Sequence, residues 1–282
     1  MRKNKELEKI ANNVRKKIIN MIYNAGSGHP GGSLSCVEIL TVIYKYAMNL
    51  NLDENGSRID KFVMSKGHAA PTYYAILSEC GFIPENDLNT FRKIDSYLEG
   101  HPSNKIPGVD VSSGSLGQGL SIASGMALSK KVSKKDGYVY CVLGDGEIEE
   151  GQVWESCMTA NKYNLNNLIA IVDNNGLQID GTNEEVKKLE RLKEKFASFG
   201  FNVITVNGHD INRLIYAIDK AKKSNRPTCI IAKTIKGKGV SFMENQVAWH
   251  GKGINDEEYK IAMDELNGGN IWNQLEKHMG NF

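Results

Sequence analysis

Apolar positions recur at three- and four-residue steps near the start of the chain, at Leu7, Ile10, Ala11, Val14, Ile18 and Ile22, until Gly26 to Gly28 interrupt them. That period predicts an amphipathic helix over 5–22. Ser35 and Glu38 stand at capping-box spacing and predict a second helix through Met48, stopped by the polar stretch 49–57. A short strand is predicted at 61–65 and a helix near 70–80. From residue 116 the alternation becomes regular. A helix is expected at 116–132, where Gly119, Ala123 and Ala127 fall four apart and let another backbone come close. Strands follow at 138–143, 168–173, about 202–206 and 228–233, with helices at about 151–163 and 210–223. Apolar strands alternating with helices predict an α/β fold, a mainly parallel sheet covered by helices on both faces. No repeat, low-complexity tract or long linker divides the chain, so residues 1–282 are expected to form one domain with N-terminal helices. The Gly- and Lys-rich stretch 236–253 reads as a loop, with a terminal helical extension beyond it.

Charge and composition narrow the function classes. The formal net charge is +2, and basic residues are interleaved with acidic ones, which leaves no stripe for a phosphate backbone. Nucleic acid is not an expected partner. The first twenty residues lack an uninterrupted apolar run and no later window approaches a membrane span, so no membrane partner and a cytoplasmic location are expected. Cys36, Cys80, Cys141, Cys157 and Cys229 are widely spaced, without CxxC pairs, and read as small buried residues in a reducing compartment.

The candidate chemistry lies at strand ends, where open α/β sheets bind ligands. Asp145, within "VLGDGEIEEGQVWE", ends one predicted strand, and Asp173-Asn174-Asn175 ends the next. Asp145 and an Asn amide oxygen converging there would suit Mg²⁺, a hard cation that keeps waters and takes phosphate oxygens. Gly144 and Gly146 would permit a tight turn and let backbone amides approach that phosphate. Each half has a plainer use, Asp145 as a helix cap and Asn174-Asn175 as a turn. A dinucleotide GxGxxG would need glycine where Glu149 stands, and Gly176 to Gly181 lacks the Lys-Ser/Thr of a P-loop. His29, His68, His101 and His250 all sit in Gly-, Pro- or Ser-rich segments, "GSGHPGGS", "SKGHAAP", "LEGHPS" and "AWHGKG". They read as a polar wall built from several loops, or singly as solvated turn histidines. His209 also follows a glycine; only His278 lies outside such a context. "SSGSLGQG" adds a glycine-rich turn entering a helix, and no nucleophile elbow or zinc pattern is present.

Together these segments resemble the N-terminal part of a transketolase. "GDG" at 144–146 with "NN" at 174–175 resembles the thiamine diphosphate signature. "AGSGHPGGSLS", "SKGHAAPTYYAIL", "LEGHPS", "GSLGQGLSIASGMA", "LQIDG" and "AKTIKGKGVSFMEN...WHGKG" fall around it in the family's order, over about residues 10–255. The resemblance implies thiamine diphosphate and Mg²⁺ as cofactors, with Ca²⁺ or Mn²⁺ as substitutes. It implies transfer of a two-carbon ketol unit between sugar phosphates, a step of the pentose phosphate pathway. By position, Asp145 and Asn175 match the side-chain metal ligands and Leu177 the backbone carbonyl ligand. Gly146 and His68 match diphosphate contacts, Gly114 and Leu116 the aminopyrimidine end, and Lys236 a lysine near the diphosphate. His29 and His250 match the pair beside the reactive thiazolium carbon, His101 a donor-sugar contact, and Glu150 the acid that links two cofactor sites through the subunit interface. Glu147 and Glu149 match no such role and read as a solvated helix start.

The family's activating glutamate belongs to a pyrimidine-binding domain that this chain does not contain. The expectation is therefore the N-terminal subunit of a split transketolase, paired in an α2β2 heterotetramer with a separate C-terminal subunit. Two other classes stay open at this point. One is the alpha subunit of a 2-oxo acid dehydrogenase, against which the histidine set argues; the other is a non-catalytic relative, which predicts decayed ligands or histidines.

Overall fold

Strands form where the chain is continuously apolar and β-branched, and they end where Gly, Asp and Asn take over. The structure is a computed structural model that describes residues 2–188 and 190–269; His278 lies outside the described residues. In chain order the N-terminal half holds α1 (Arg2–Ala25), α2 (Pro30–Ser35), α3 (Val37–Val42), β1 (Lys61–Met64), α4 (Ala70–Glu79), α5 (Gln118–Val132) and β2 (Val139–Gly144). Then come α6 (Gly151–Lys162), β3 (Leu168–Asn174), α7 (Asn183–Val186), α8 (Leu192–Ser198), β4 (Asn202–Asn207), α9 (Ile211–Lys222), β5 (Thr228–Lys233) and α10 (Asp256–Leu266). The strands lie in the order β1-β2-β3-β5-β4, and every neighbouring pair is parallel.

Because side chains alternate along a strand, each strand feeds two cores. Tyr140 and Val142 of β2, Ile169 and Ile171 of β3 and Ile230 of β5 join α1, α3, α4 and α9 in one buried cluster. Val139, Cys141 and Leu143 of β2, with Ala170 and Val172 of β3, join α5, α6 and α8 in the other. The expected two-sided sheet is what forms. Gly119, Ala123 and Ala127 are all buried, and a Cβ at Gly119 would stand 2.2 Å from Ser65 Oγ, so the glycine admits the end of β1 against α5. The cysteines are free; Cys36, Cys141, Cys157 and Cys229 are buried and Cys80 is half-buried.

One stretch departs from expectation. Ser35 caps nothing: it is the last residue of α2, and its hydroxyl lies 2.5 Å from Asp173 Oδ2. The predicted helix through Met48 forms, but it starts one residue later, at Val37 with Cys36 in the cap position, and its last part, Ile43–Ala47, is a π turn. Glu38 does not reach back to a cap. It is buried, pairing with Arg15 at 2.5 Å and His209 at 2.9 Å. A buried carboxylate ion-paired with Arg15 and hydrogen-bonded to the His209 ring outcompetes a local cap, which is worth only about 1 kcal/mol.

Candidate active site

Gly144 of β2 is in register with Asp173 of β3, so the two predicted strand ends are immediate neighbours. Asp145, one residue on, is 2% exposed. Its Oδ2 accepts from the Gly176 N–H at 2.6 Å and the Asn174 amide at 3.1 Å, and its Oδ1 accepts from Gly146 N–H at 3.0 Å. The neighbouring Asn175 leans the other way, its Oδ1 accepting from Leu177 N–H at 3.1 Å and its amide 3.4 Å from Asp173. Asp145 is thus met by Asn174 through an N–H, and not by an amide oxygen. Burial raises the Asp145 pKa against the hydrogen bonds that favour its charge.

Beneath this turn lies a buried ion pair. Lys66, 1% exposed, donates to Asp173, which is wholly buried, and to Gly32 O at 2.8 Å. Ser35 and Thr234 hydroxyls also face Asp173. Burial works against both charges, and their mutual attraction outweighs it, leaving Lys66 raised and Asp173 lowered.

The loops around these strand ends enclose a cavity of 470 Å³ lined by His29, His68, His101, His250, Gly114, Leu116, Gly146, Glu150, Asn175, Leu177 and Lys236, with Asp145 in the wall. His29 closes the loop before α2, His68 lies in the 3-10 turn Gly67–Ala69 after β1, and His250 follows the turn Val247–Trp249. The His29, His68 and His250 ring centroids stand 5.4–5.8 Å apart. Burial lowers the pKa of all four histidines. His29 falls to about 4, with Arg92, His101 and Lys236 adding to burial, and His250 to about 3, helped by Lys236. His68 lies well below the usual value, and His101 is lowered by burial and Arg92. All four are therefore neutral at pH 7. Lys236 donates to His250 Nδ1 at 2.8 Å, which leaves Nε2 as the N–H-bearing atom. The same ammonium lies 3.2 Å from Leu177 O, and burial with Lys66 nearby lowers it to about 8.

Glycines keep this cavity open. A Cβ at Gly32 would stand 3.3 Å from His68, one at Gly114 3.4 Å from His101, and one at Gly146 2.9 Å from Gln178. Gly117, at φ +82°, enters α5 hard against Glu150, so the two glycine-rich turns adjoin. A larger hollow of 650 Å³, beside Glu184, Lys188 and Lys193, contains no histidine.

Residues 7–271 match the family described as "Transketolase, thiamine diphosphate binding domain". The chain belongs to the transketolase family. It is 41% identical to one subunit of the apulose-4-phosphate transketolase of Phocaeicola vulgatus, over 89% of this chain and 90% of that protein. It is 44% identical to the transketolase of Mus musculus over 92% of this chain, which spans only 42% of the mouse protein. A crystal structure of transketolase from Campylobacter jejuni superposes with a TM-score of 0.87 at 35% identity, covering 93% of this chain and 42% of that one. Among the open classes, membership decides for transketolase over the 2-oxo acid dehydrogenase alpha subunit.

Within this transketolase-family chain, two acids depart from the reading of a solvated helix start. Glu147 is 3% exposed and accepts from Gly117 N–H at 2.9 Å, Gly144 N–H at 3.0 Å and the Ser65 hydroxyl. It ties three turns together, and burial raises its pKa. Glu149 is half-buried and accepts from the Gln178 amide at 2.6 Å. Lys66 and Asp173 lie inside recognised segments, yet nothing in their spacing marks them as a pair; only the strand register brings them together.

The chain's own atoms fit a diphosphate with a divalent cation. Leu177 O already receives a cation, the Lys236 ammonium. His29 Nδ1 is buried without a hydrogen-bond partner. Among the described residues no group of three or more His, Cys, Asp or Glu converges as a metal cluster.

Proposed function

We propose that this chain is the cofactor-binding subunit of a two-subunit transketolase, transferring a two-carbon ketol unit from a ketose phosphate to an aldose phosphate with thiamine diphosphate and Mg²⁺. The observation that carries this reading is the convergence of four histidines from four loops on a cavity whose wall holds Asp145. Asp145, Asn175 and the Leu177 carbonyl would hold the cation, and Gly146, His68 and Lys236 the diphosphate. Gly114 and Leu116 would meet the aminopyrimidine end. When bound, the cofactor supplies the electron sink that C–C cleavage needs.

The remaining work falls to this chain's histidines. His29 is neutral at pH 7 and its Nδ1 has no partner, so it can take a proton from a sugar hydroxyl and return it, as general acid–base catalysis requires, whereas His250 would donate from its Nε2–H. His250 has its Nδ1 engaged by Lys236, which orients the ring and leaves Nε2 toward the ligand's reach. His101 is set to hydrogen-bond a donor-sugar hydroxyl. Glu150 is exposed at the rim, and Leu116 (39%) and Ile179 (64%) expose apolar surface at the same mouth. A partner carrying the pyrimidine-binding domain would cover these residues and supply the activating acid, in an α2β2 assembly. The Phocaeicola relative is by name one subunit of its transketolase and matches this chain almost end to end, which supports a divided enzyme.

Calorimetric titration of the chain with its partner tests the metal half of this reading. Asp145→Ala should abolish Mg²⁺-dependent binding of thiamine diphosphate while far-UV circular dichroism stays native. Native affinity in the variant would remove Asp145 from the metal site.

A further inference from the structure

Arg92 follows the 3-10 turn Glu85–Thr90 and has φ +58°, the left-handed region that a long side chain occupies only where its surroundings over-determine it. Its N–H donates to Leu98 O at 2.9 Å and closes the loop that leads to His101. The guanidinium reaches two ways. Nη1 donates to Ser27 Oγ at 3.2 Å, two residues before His29. At the other end, a Cβ built on Gly100 would stand 2.8 Å from Nε and 2.9 Å from Nη2, so the residue before His101 must be glycine for the guanidinium to lie there. Arg15 and Arg58 pair with Glu38 and Asp110, whereas no carboxylate pairs with Arg92 among the described residues. Its Nε is buried without a hydrogen-bond partner. The buried Phe91 ring lies 5.6 Å from its Cζ, but no counter-charge offsets the half-buried guanidinium.

We propose that Arg92 is a positioning residue that straps the His29 loop to the His101 loop and sets an uncompensated positive charge behind both imidazoles. It acts through them, since the cavity is lined by His29 and His101 and Arg92 stands outside that lining. The inference rests on the transketolase reading for what the two imidazoles do, and on the chain alone for their state. After burial, Arg92 is the foremost influence opposing protonation of His29, and it is the named charge acting on His101. The other groups facing His29 are His101, Lys236 and the His68 and His250 rings; His101 faces Arg92 and His29. Arg92 thus opposes protonation of both rings and keeps them neutral, within a cavity whose acids Asp145, Glu147, Glu149 and Glu150 line its other walls.

The test separates charge from strap. Histidine resonances of the full chain are followed through pH by NMR for the native protein, Arg92→Gln and Arg92→Lys, with circular dichroism as the check on folding. Arg92→Gln should raise the pKa of both His29 and His101, while Arg92→Lys should keep them near native. In the two-subunit enzyme, Arg92→Lys should retain the native acid limb of the pH–rate profile yet lose about tenfold or more in kcat/KM, because lysine lacks the fork that spans both loops. Arg92→Gln should shift that limb to higher pH. Unchanged His29 and His101 titration in a folded Arg92→Gln would overturn the charge role, and native kcat/KM in Arg92→Lys would overturn the strap. If Arg92→Gln fails to fold, the Lys variant still decides the strap, and Arg92→Met, neutral and of similar length, decides the charge: its His29 pKa should rise, and a native value would refute it. Failure of the native pair to transfer a ketol unit would instead count against the proposed function, leaving the imidazole titrations to judge Arg92.

Discussion

Lys66 and Asp173 show how a single residue is held at this site. Two opposite charges taken wholly out of water are tolerated because each supplies what the other has lost, with Gly32 O, Ser35 and Thr234 satisfying the remainder. Lys66→Met leaves the Asp173 carboxylate buried and unpaired, and should destabilise the chain by about 3–5 kcal/mol. Urea denaturation checks this; a loss under about 1 kcal/mol, the size of an exposed pair, would mean that water reaches Asp173. Glu147 carries a parallel lesson. Its carboxylate collects two backbone N–H groups from different turns, which no local pattern at "GEIEEG" foretells, since the partners Gly117 and Ser65 are remote in sequence. Asp145 is legible because its environment is local: a strand end, flanking glycines and an Asn pair on the adjoining strand.

At the scale of elements, helices and strands follow periodicity where one face is buried against the sheet. The regular alternation from residue 116 corresponds to α5, β2, α6, β3, β4, α9 and β5 within a residue or two at their ends, while the short helices α7 and α8 between β3 and β4 are not part of that expectation. The helix expected through Met48 also forms, over 37–47, but its cap does not, because Ser35 and Glu38 bond to Asp173, Arg15 and His209. Tertiary partners override a local signal worth about 1 kcal/mol. The small-residue stripe on α5 makes a sharper case. Gly119→Ala would place a methyl 2.2 Å from Ser65 Oγ and 2.7 Å from its Cα, which is backbone and cannot swing aside. The expected cost is about 1–3 kcal/mol from overpacking. Because Ser65 precedes Lys66 and donates to Glu147, the variant should also weaken cofactor binding. Thermal unfolding and calorimetry of the same variant check both; Gly125→Ala, where an added Cβ meets nothing within 4 Å in the exposed interior of α5, is the control and should stabilise by up to about 1 kcal/mol.

For the whole molecule, the buried histidines make stability depend on pH in a definite direction. Folded His29 titrates at about 4 and folded His250 at about 3, against 6.5 for a free imidazole. Between those values the unfolded chain binds protons that the folded chain does not, so stability falls as pH drops from about 6.5 toward 4 and is fully present above that window. The double variant His29→Gln/His250→Gln should show a shallower decline in its urea midpoint over the same range. An identical slope would mean that neither imidazole is held neutral. The central claim concerns the assembly: the chain provides the diphosphate, cation and histidine half of a transketolase site, and a pyrimidine-domain partner provides the rest. The direct measurement is ketol transfer from a ketose phosphate to an aldose phosphate by the purified chain, with thiamine diphosphate and Mg²⁺, before and after adding a pyrimidine-domain protein that co-purifies with it. The account predicts no turnover from the chain alone and turnover at enzyme rates from the pair; full turnover by the chain alone, or none by the pair, would contradict it.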